Sequence, residues 1–253
     1  MGIAMNELAG RVALVTGGAG NIGRAIAIEL AAGGAKVVVA ARSDRAGLDE
    51  TVEAIASSGG EALAVIADIT DEDAVAAMTN ASIARFGRLD ILVNNAAVRG
   101  ETKLSEMSLA EWRRVVAPTL EGPFLCARAA LPHLVASGNG AIINIGGLTG
   151  YTGARNRVHV VSAKAGLDGM TKALAHELAD DGITVNLVSP GLIDTVRGKH
   201  NPANPDHHKR HDTLLGRRGR PEEVAAMVRH LAGPNGRFIT GQTIHVNGGV
   251  YLP

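Results

Sequence analysis

A chain of 253 residues is long enough to bury one large core, and α/β domains of this size often stay undivided. Its 25 Lys and Arg balance 25 Asp and Glu, so charge points to neither nucleic acid nor an anionic membrane as partner. No apolar run approaches a bilayer span, residues 1–10 lack the basic start and apolar stretch of a signal peptide, and the lone Cys126 closes no internal disulfide, so a cytoplasmic protein is expected.

Four apolar residues ending at Val15 predict a buried strand, and Ile22, Ala25, Ile26 and Leu30 have helical spacing. Between them, Gly18-Ala19-Gly20-Asn21-Ile22-Gly23 fits G-x-G-x-x-G. A glycine turn between strand and helix leaves backbone N–H groups at a helix N-terminus, where a pyrophosphate can approach closely, so a dinucleotide site is expected here. Lys36–Ala41 predicts a second strand, Arg45–Ser57 a helix, Ala62–Ala67 a third strand and Asp71–Phe86 a helix opened by acidic residues. Leu89–Val93 follows as strand four, then two helical stretches between Ser108 and Ala136, around Pro118 and Gly122. Cys126 lies in the apolar run Phe124-Leu125-Cys126-Ala127 with no activating neighbour and reads as packing. Ala141–Ile145 predicts strand five, Val158–Ala179 a long helix, Thr184–Val188 strand six, Pro221–Leu231 a helix and Thr243–Val246 a last strand. Strands apolar on both faces, alternating with helices, predict an α/β fold: a Rossmann-type, doubly wound, seven-stranded parallel sheet in a single domain, residues 1–253.

Thr16-Gly17 with Gly23, Asp68-Ile69 after strand three, Asn94-Asn95-Ala96 after strand four, Ser189-Pro190-Gly191 after strand six and the end from Gly241 to Gly249 stand in the order seen in short-chain dehydrogenases/reductases. The chain resembles that family over nearly its whole length. Two departures are mild: Asn21 replaces the second glycine of T-G-x-x-x-G-x-G, and Ala97 replaces the glycine of N-N-A-G. Asparagine tolerates a left-handed backbone, so the turn is expected to survive. The resemblance implies that Gly17, Asn21, Ile22 and Gly23 hold the pyrophosphate, that Asp68 and Ile69 hold the adenine, and that Asn94 and Ala96 line the ribose. It places Pro190 and Gly191 at the cofactor, with Ile193 and Thr195 on the nicotinamide carboxamide. At the end of strand two stands Ala41-Arg42 rather than a carboxylate, which favours NADP(H), with NAD(H) possible; Asp44 is near enough in sequence to neutralise Arg42.

The catalytic half of the resemblance is incomplete. The family's Tyr-x-x-x-Lys stands one helical turn apart, the lysine binding ribose and lowering the tyrosine pKa. Here Lys164 is present, but Val160 occupies the tyrosine position, Gly147 that of the serine thirteen residues earlier, and Thr119 that of the asparagine seven residues after Trp112. A substitute proton donor is sought in Tyr151, expected in the loop bordering the nicotinamide, in His159 beside Val160, or in water. Tyr151 with Arg155 also spells the Tyr-x-x-x-Arg of haloalcohol dehalogenases, but Gly138 stands where their serine would be. Tyr251 is expected to matter only through packing of the tail. Residues 194–220 match the family's substrate lid; they carry His200, His207, His208 and His211, read as a solvated surface, with no metal expected, and Arg197, Lys199, Lys209 and Arg210, which fit either surface charge or an acidic substrate. Ala163, Ala165, Gly166 and Gly169 narrow the long helix for close packing, and a homotetramer is expected. Three functions stay open: an NADP-dependent oxidoreductase on a small carbonyl or alcohol substrate with a rebuilt proton relay, a cofactor-binding sensor or partner subunit without turnover, and a different reaction on the same scaffold.

Overall fold

The computed structural model describes residues 6–196 and 212–253. Within them β1 (Val12–Thr16), β2 (Lys36–Ala41), β3 (Ala62–Ile66), β4 (Ile91–Asn94), β5 (Ala141–Ile145), β6 (Thr184–Pro190) and β7 (Thr243–Val246) form one sheet in the order β3-β2-β1-β4-β5-β6-β7. Every pairing is parallel. The chain winds outward from β1 to β3 and then restarts at β4 on the other side of β1, so the direction of winding reverses between β1 and β4. Ligands of open α/β sheets bind outside the carboxyl ends of the strands at such a switch.

The helices are α1 (Asn21–Ala32), α2 (Arg45–Ser57), α3 (Glu72–Phe86), α4 (Leu109–Val116), α5 (Gly122–Ser137), α6 (Thr149–Thr152), α7 (Val158–Glu177) and α8 (Pro221–Ala232). Alternate residues of β1 serve opposite layers: Ala13 and Val15 join Ile26, Leu48 and Val228 of α1, α2 and α8, whereas Val12 and Leu14 join Met78 and Cys126 of α3 and α5. Both faces are therefore dry, which is why the strands read as unbroken apolar runs. Cys126 is buried, and burial pushes its thiol up to about 12, in keeping with a packing role. Helix ends follow local chemistry. Asp44 caps α2 by accepting from the Gly47 amide at 2.9 Å, Asp71 caps α3 through the amides of Asp73 and Ala74, and left-handed Gly87 and Gly138 close α3 and α5.

Three departures from the predicted elements bear on the site. β1, β4 and β6 extend past the apolar runs to Thr16, Asn94 and Pro190. The two stretches between Ser108 and Ala136 are continuous, because the π-type turn Ala117–Glu121 absorbs the missing N–H of Pro118. Finally, the segment after β5 is not a plain loop but contains the single helical turn α6. Most of the expected lid, with its four histidines and with Arg197, Lys199, Lys209 and Arg210, lies outside the described residues.

Candidate active site

A cleft of about 900 Å³ opens at the carboxyl ends of the strands. Its floor is sewn together by the polar residues that extend β1 and β4. Thr16 Oγ1 accepts from the amides of Asn95 and Ala96 at 3.1 Å, and Asn95 Nδ2 donates to the carbonyls of Thr16 and Gly17 at 3.0 Å. Gly17 is left-handed at φ +67, and a Cβ on Gly23 would stand 2.1 Å from the Gly17 carbonyl oxygen, so neither position admits a side chain. Asn21 takes φ +50 without a glycine, and its Nδ2 donates to the Val196 carbonyl at 3.1 Å, tying the turn to the segment after β6. No side chain caps α1. Its first-turn amides are thus left for a ligand, and the turn has the shape and polarity that a pyrophosphate requires.

Of the expected cofactor residues, Gly17, Asn21, Ile22, Gly23, Arg42, Asp68, Ile69, Ala96, Lys164, Pro190, Gly191, Ile193 and Thr195 all line this cleft. At one end, Arg42 is exposed and makes no ion pair among the described residues, and Asp44 caps α2 rather than pairing with it. The Thr70 amide and hydroxyl, joined by the charge of Arg42, hold the Asp68 carboxyl below its ordinary value. At the other end, Lys164 Nζ donates to the Ile145 carbonyl at 2.6 Å. Burial, with the neighbouring Arg99, pushes its ammonium down to about 8. Val160 and Gly147 line the same wall, and a Cβ on Gly147 would meet nothing within 4 Å.

Two expected contacts need correction. Asn94 does not line the cleft: its side chain is buried and donates to Asn144 Oδ1, and Asn144 in turn donates to Thr171, so of the pair Asn94-Asn95 it is Asn95 that faces the site. Tyr151 is also absent from the wall. The helical turn α6 points its ring at His245 and Tyr251, with centroids 4.7 and 5.8 Å away, and its hydroxyl donates to Asp168 Oδ1 at 2.9 Å. Burial, offset in part by Thr243, pushes that phenol up to about 12, away from the range of a proton donor near neutrality. Arg155 is exposed and lies outside the cleft. His159 is fully buried behind the wall, with Nε2 3.6 Å from Glu111 Oε1. Thr119 is buried too, with an unpartnered hydroxyl and no part in the lining.

Sequence reasoning missed the arginines. Arg99, Arg113, Arg114 and Arg157 line the cleft, together with the hydroxyl-bearing Thr149. The only signal available was position, since Arg99 follows the Asn94–Ala97 motif and Thr149 stands two residues after Gly147. Among the described residues no group of three or more His, Cys, Asp or Glu is placed to hold a metal, and no helix is long and apolar enough to cross a membrane.

The family description Enoyl-(Acyl carrier protein) reductase matches residues 17–251. A 3-oxoacyl-[acyl-carrier-protein] reductase of Synechocystis sp. is 41% identical over 98% of this chain and 100% of that protein. A cis-4-hydroxycyclohexanecarboxylate dehydrogenase of Sinomonas cyclohexanicum is 40% identical over 98% of each. Among solved structures, a blue fluorescent protein from a metagenomic library in complex with NADPH superposes with a TM-score of 0.89 at 34% identity, covering 98% of this chain and 100% of that one. A parallel sheet in this strand order, a glycine turn at its switch point and these full-length relatives agree: the chain belongs to the short-chain dehydrogenase/reductase family.

Proposed function

We propose that this protein is an NADP(H)-dependent oxidoreductase on a small carbonyl or alcohol substrate, with a proton relay other than the tyrosine and serine usual in its family. The observation that carries the reading is the uncapped glycine turn opening into one cleft that runs from Arg42 to Lys164. The relatives support it: one acts, by its name, on a 3-oxoacyl group, another on a hydroxycyclohexanecarboxylate, and a structural neighbour holds NADPH. When bound, NADP(H) supplies or accepts the hydride. Arg42 meets the 2′-phosphate as a charge-assisted donor, and the amides of α1 meet the pyrophosphate. Asp68 and Ile69 flank the adenine, Ala96 the ribose, and Ile193 and Thr195 the carboxamide.

Proton transfer is the open step, since neither phenol nor imidazole is on the described wall. We assign it to water held by Lys164, whose ammonium titrates near 8 and so exchanges protons close to neutrality. The same observation favours a second reading, cofactor binding without efficient turnover. NADPH-dependent reduction of activated ketones by wild type and by Gly147→Ser with Val160→Tyr separates the two. A regained general acid and oxyanion donor should raise the rate by at least ~10²-fold, because each typically contributes that much. Wild-type activity that no ketone elicits, with NADPH bound, would leave the binding-only reading. Replacing Arg42 by alanine should erase a preference for NADPH over NADH worth about 1.5–3 kcal/mol; equal affinities in wild type would overturn the choice of cofactor.

The proposed assembly is a homotetramer in the cytoplasm. Ala165 and Gly169 lie exposed on α7, and β7 forms an edge of the sheet, offering two faces to neighbouring subunits. Gly166, by contrast, is narrow for an internal reason: a Cβ there would meet Leu120 Cδ2 at 3.0 Å.

A further inference from the structure

The two ends of the cleft differ in charge. Asp44 and Asp68 are its only lining carboxylates among the described residues, and both belong to the β2 and β3 end. At the other end, Arg99, Arg157 and Lys164 gather around the wall formed by Val160 and Gly147. Arg99 acts electrostatically on both of the other cations, so the three share one corner. Arg99 as a whole is exposed and lines the cleft, while burial around its guanidinium lowers that group's pKa, and it makes no hydrogen bond or ion pair among the described residues. Like charges are held together here by construction. The buried Arg157 donates from Nε to the Gly100 carbonyl at 3.1 Å, and the Thr102 amide donates to the carbonyl of Asn156, a residue at φ +60, at 2.8 Å. Gly100 in turn passes so close to His159 that a Cβ would lie 2.6 Å from Nε2. Two hydrogen bonds and the close passage of Gly100 thereby hold the loop bearing Arg99; Glu101 acts on Arg157, whereas Arg99 has no carboxylate partner among the described residues, and a charged donor lining a cleft in that way is a receptor for an anion.

We propose that this corner is an anion subsite and that the substrate carries a carboxylate, received by Arg99, with its carbonyl or carbinol carbon turned toward the nicotinamide. The inference rests on the NADP(H) reading above and names the substrate class of that same site. The room left by Gly147 and Val160 lets the substrate lie against the cationic wall, where a tyrosine and a serine would otherwise stand. One relative, 40% identical, is named for a hydroxycyclohexanecarboxylate, an acid of this class.

Cyclohexanecarboxylate and its neutral isostere cyclohexanecarboxamide are suitable probes, titrated by calorimetry into the NADPH-loaded protein. Fluorescence titration of NADPH into wild type comes first, and a failure there defeats the cofactor reading rather than this one. With NADPH bound, the carboxylate should bind at least ~10-fold more tightly than the amide, the scale expected of a charge-assisted bidentate contact. Below pH 7, where Lys164 is an ammonium with or without its neighbour, Arg99→Gln should abolish that preference while NADPH still binds, Arg99→Lys should restore part of it, and Arg128→Gln, beside Glu72 and outside the cleft lining, should change neither. Added salt should weaken the carboxylate alone. Equal affinity for the two probes, a carboxylate that fails to bind at millimolar concentration, or a preference that survives Arg99→Gln would overturn the proposal.

Discussion

Lys164 couples titration to binding. Its ammonium falls from the ordinary 10.5 to about 8 in the folded protein, so between those values the unfolded chain holds the extra proton. This group's contribution to stability therefore rises with pH through that window, and its penalty is present in full below about 8. NADP(H) affinity should move the other way, weakening as pH rises from about 7 to 9 and the ammonium donor is lost. Fluorescence titrations should show the decline in wild type and a flat profile in Lys164→Met. Tyr151→Phe makes the complementary prediction: NADPH binding and any ketone reduction unchanged, with a stability loss of ~0.5–1.5 kcal/mol from the missing hydrogen bond, read from the urea midpoint. A collapse of activity would return the phenol to the proton relay. The location of Tyr151 was not legible in the sequence, because a helical turn of four residues carries too little periodicity to reveal which way it points. Arg99 escaped for another reason: a search for proton donors passes over a guanidinium, which stays charged throughout the working pH range.

At the scale of the element, the glycine turn between β1 and α1 decides whether a cofactor can be held. Gly23→Ala would put a methyl 2.1 Å from the Gly17 carbonyl oxygen and 2.5 Å from Asn95 Nδ2, so it should lower stability by at least ~1–3 kcal/mol and abolish NADPH binding. Gly147→Ala, with open space around it, should do neither, and thermal melts with NADPH titrations of the two variants check the contrast. The predicted bounds of β2, α2, β5 and β7 match the structure, since composition changes sharply at their ends. Those of β1, β4 and β6 were read too short at the carboxyl end. There the ladder continues into Thr16, Asn94 and Pro190, residues whose polarity or missing N–H reads as loop but which line or support the cleft. Parallel strands carry their chemistry on these last residues, so apolar runs stop marking the strand just where function begins.

For the whole molecule, the sheet was legible because alternating buried strands and amphipathic helices leave few topologies. Assembly was not, since one chain does not display its symmetry. Light scattering at micromolar concentration should return four times the chain mass, and a monomer mass would overturn the tetramer. Charge told a similar story of scale: the chain is neutral overall, with 25 cationic Lys and Arg against 25 acids, yet the cleft concentrates cations at one end. A formal sum over the chain gives no sign of a polyanionic partner while saying nothing of a single small anion.

The empty space beside Gly147 has a practical side. Cys126, the chain's one cysteine, is buried with a thiol pushed up to about 12, so it should ignore ordinary labelling reagents. Gly147→Cys would then place a single reactive sulfur per subunit on the wall of the cleft. An environment-sensitive dye attached there would turn the protein into a sensor of its own ligands, reporting nucleotide and organic acid as separate optical events.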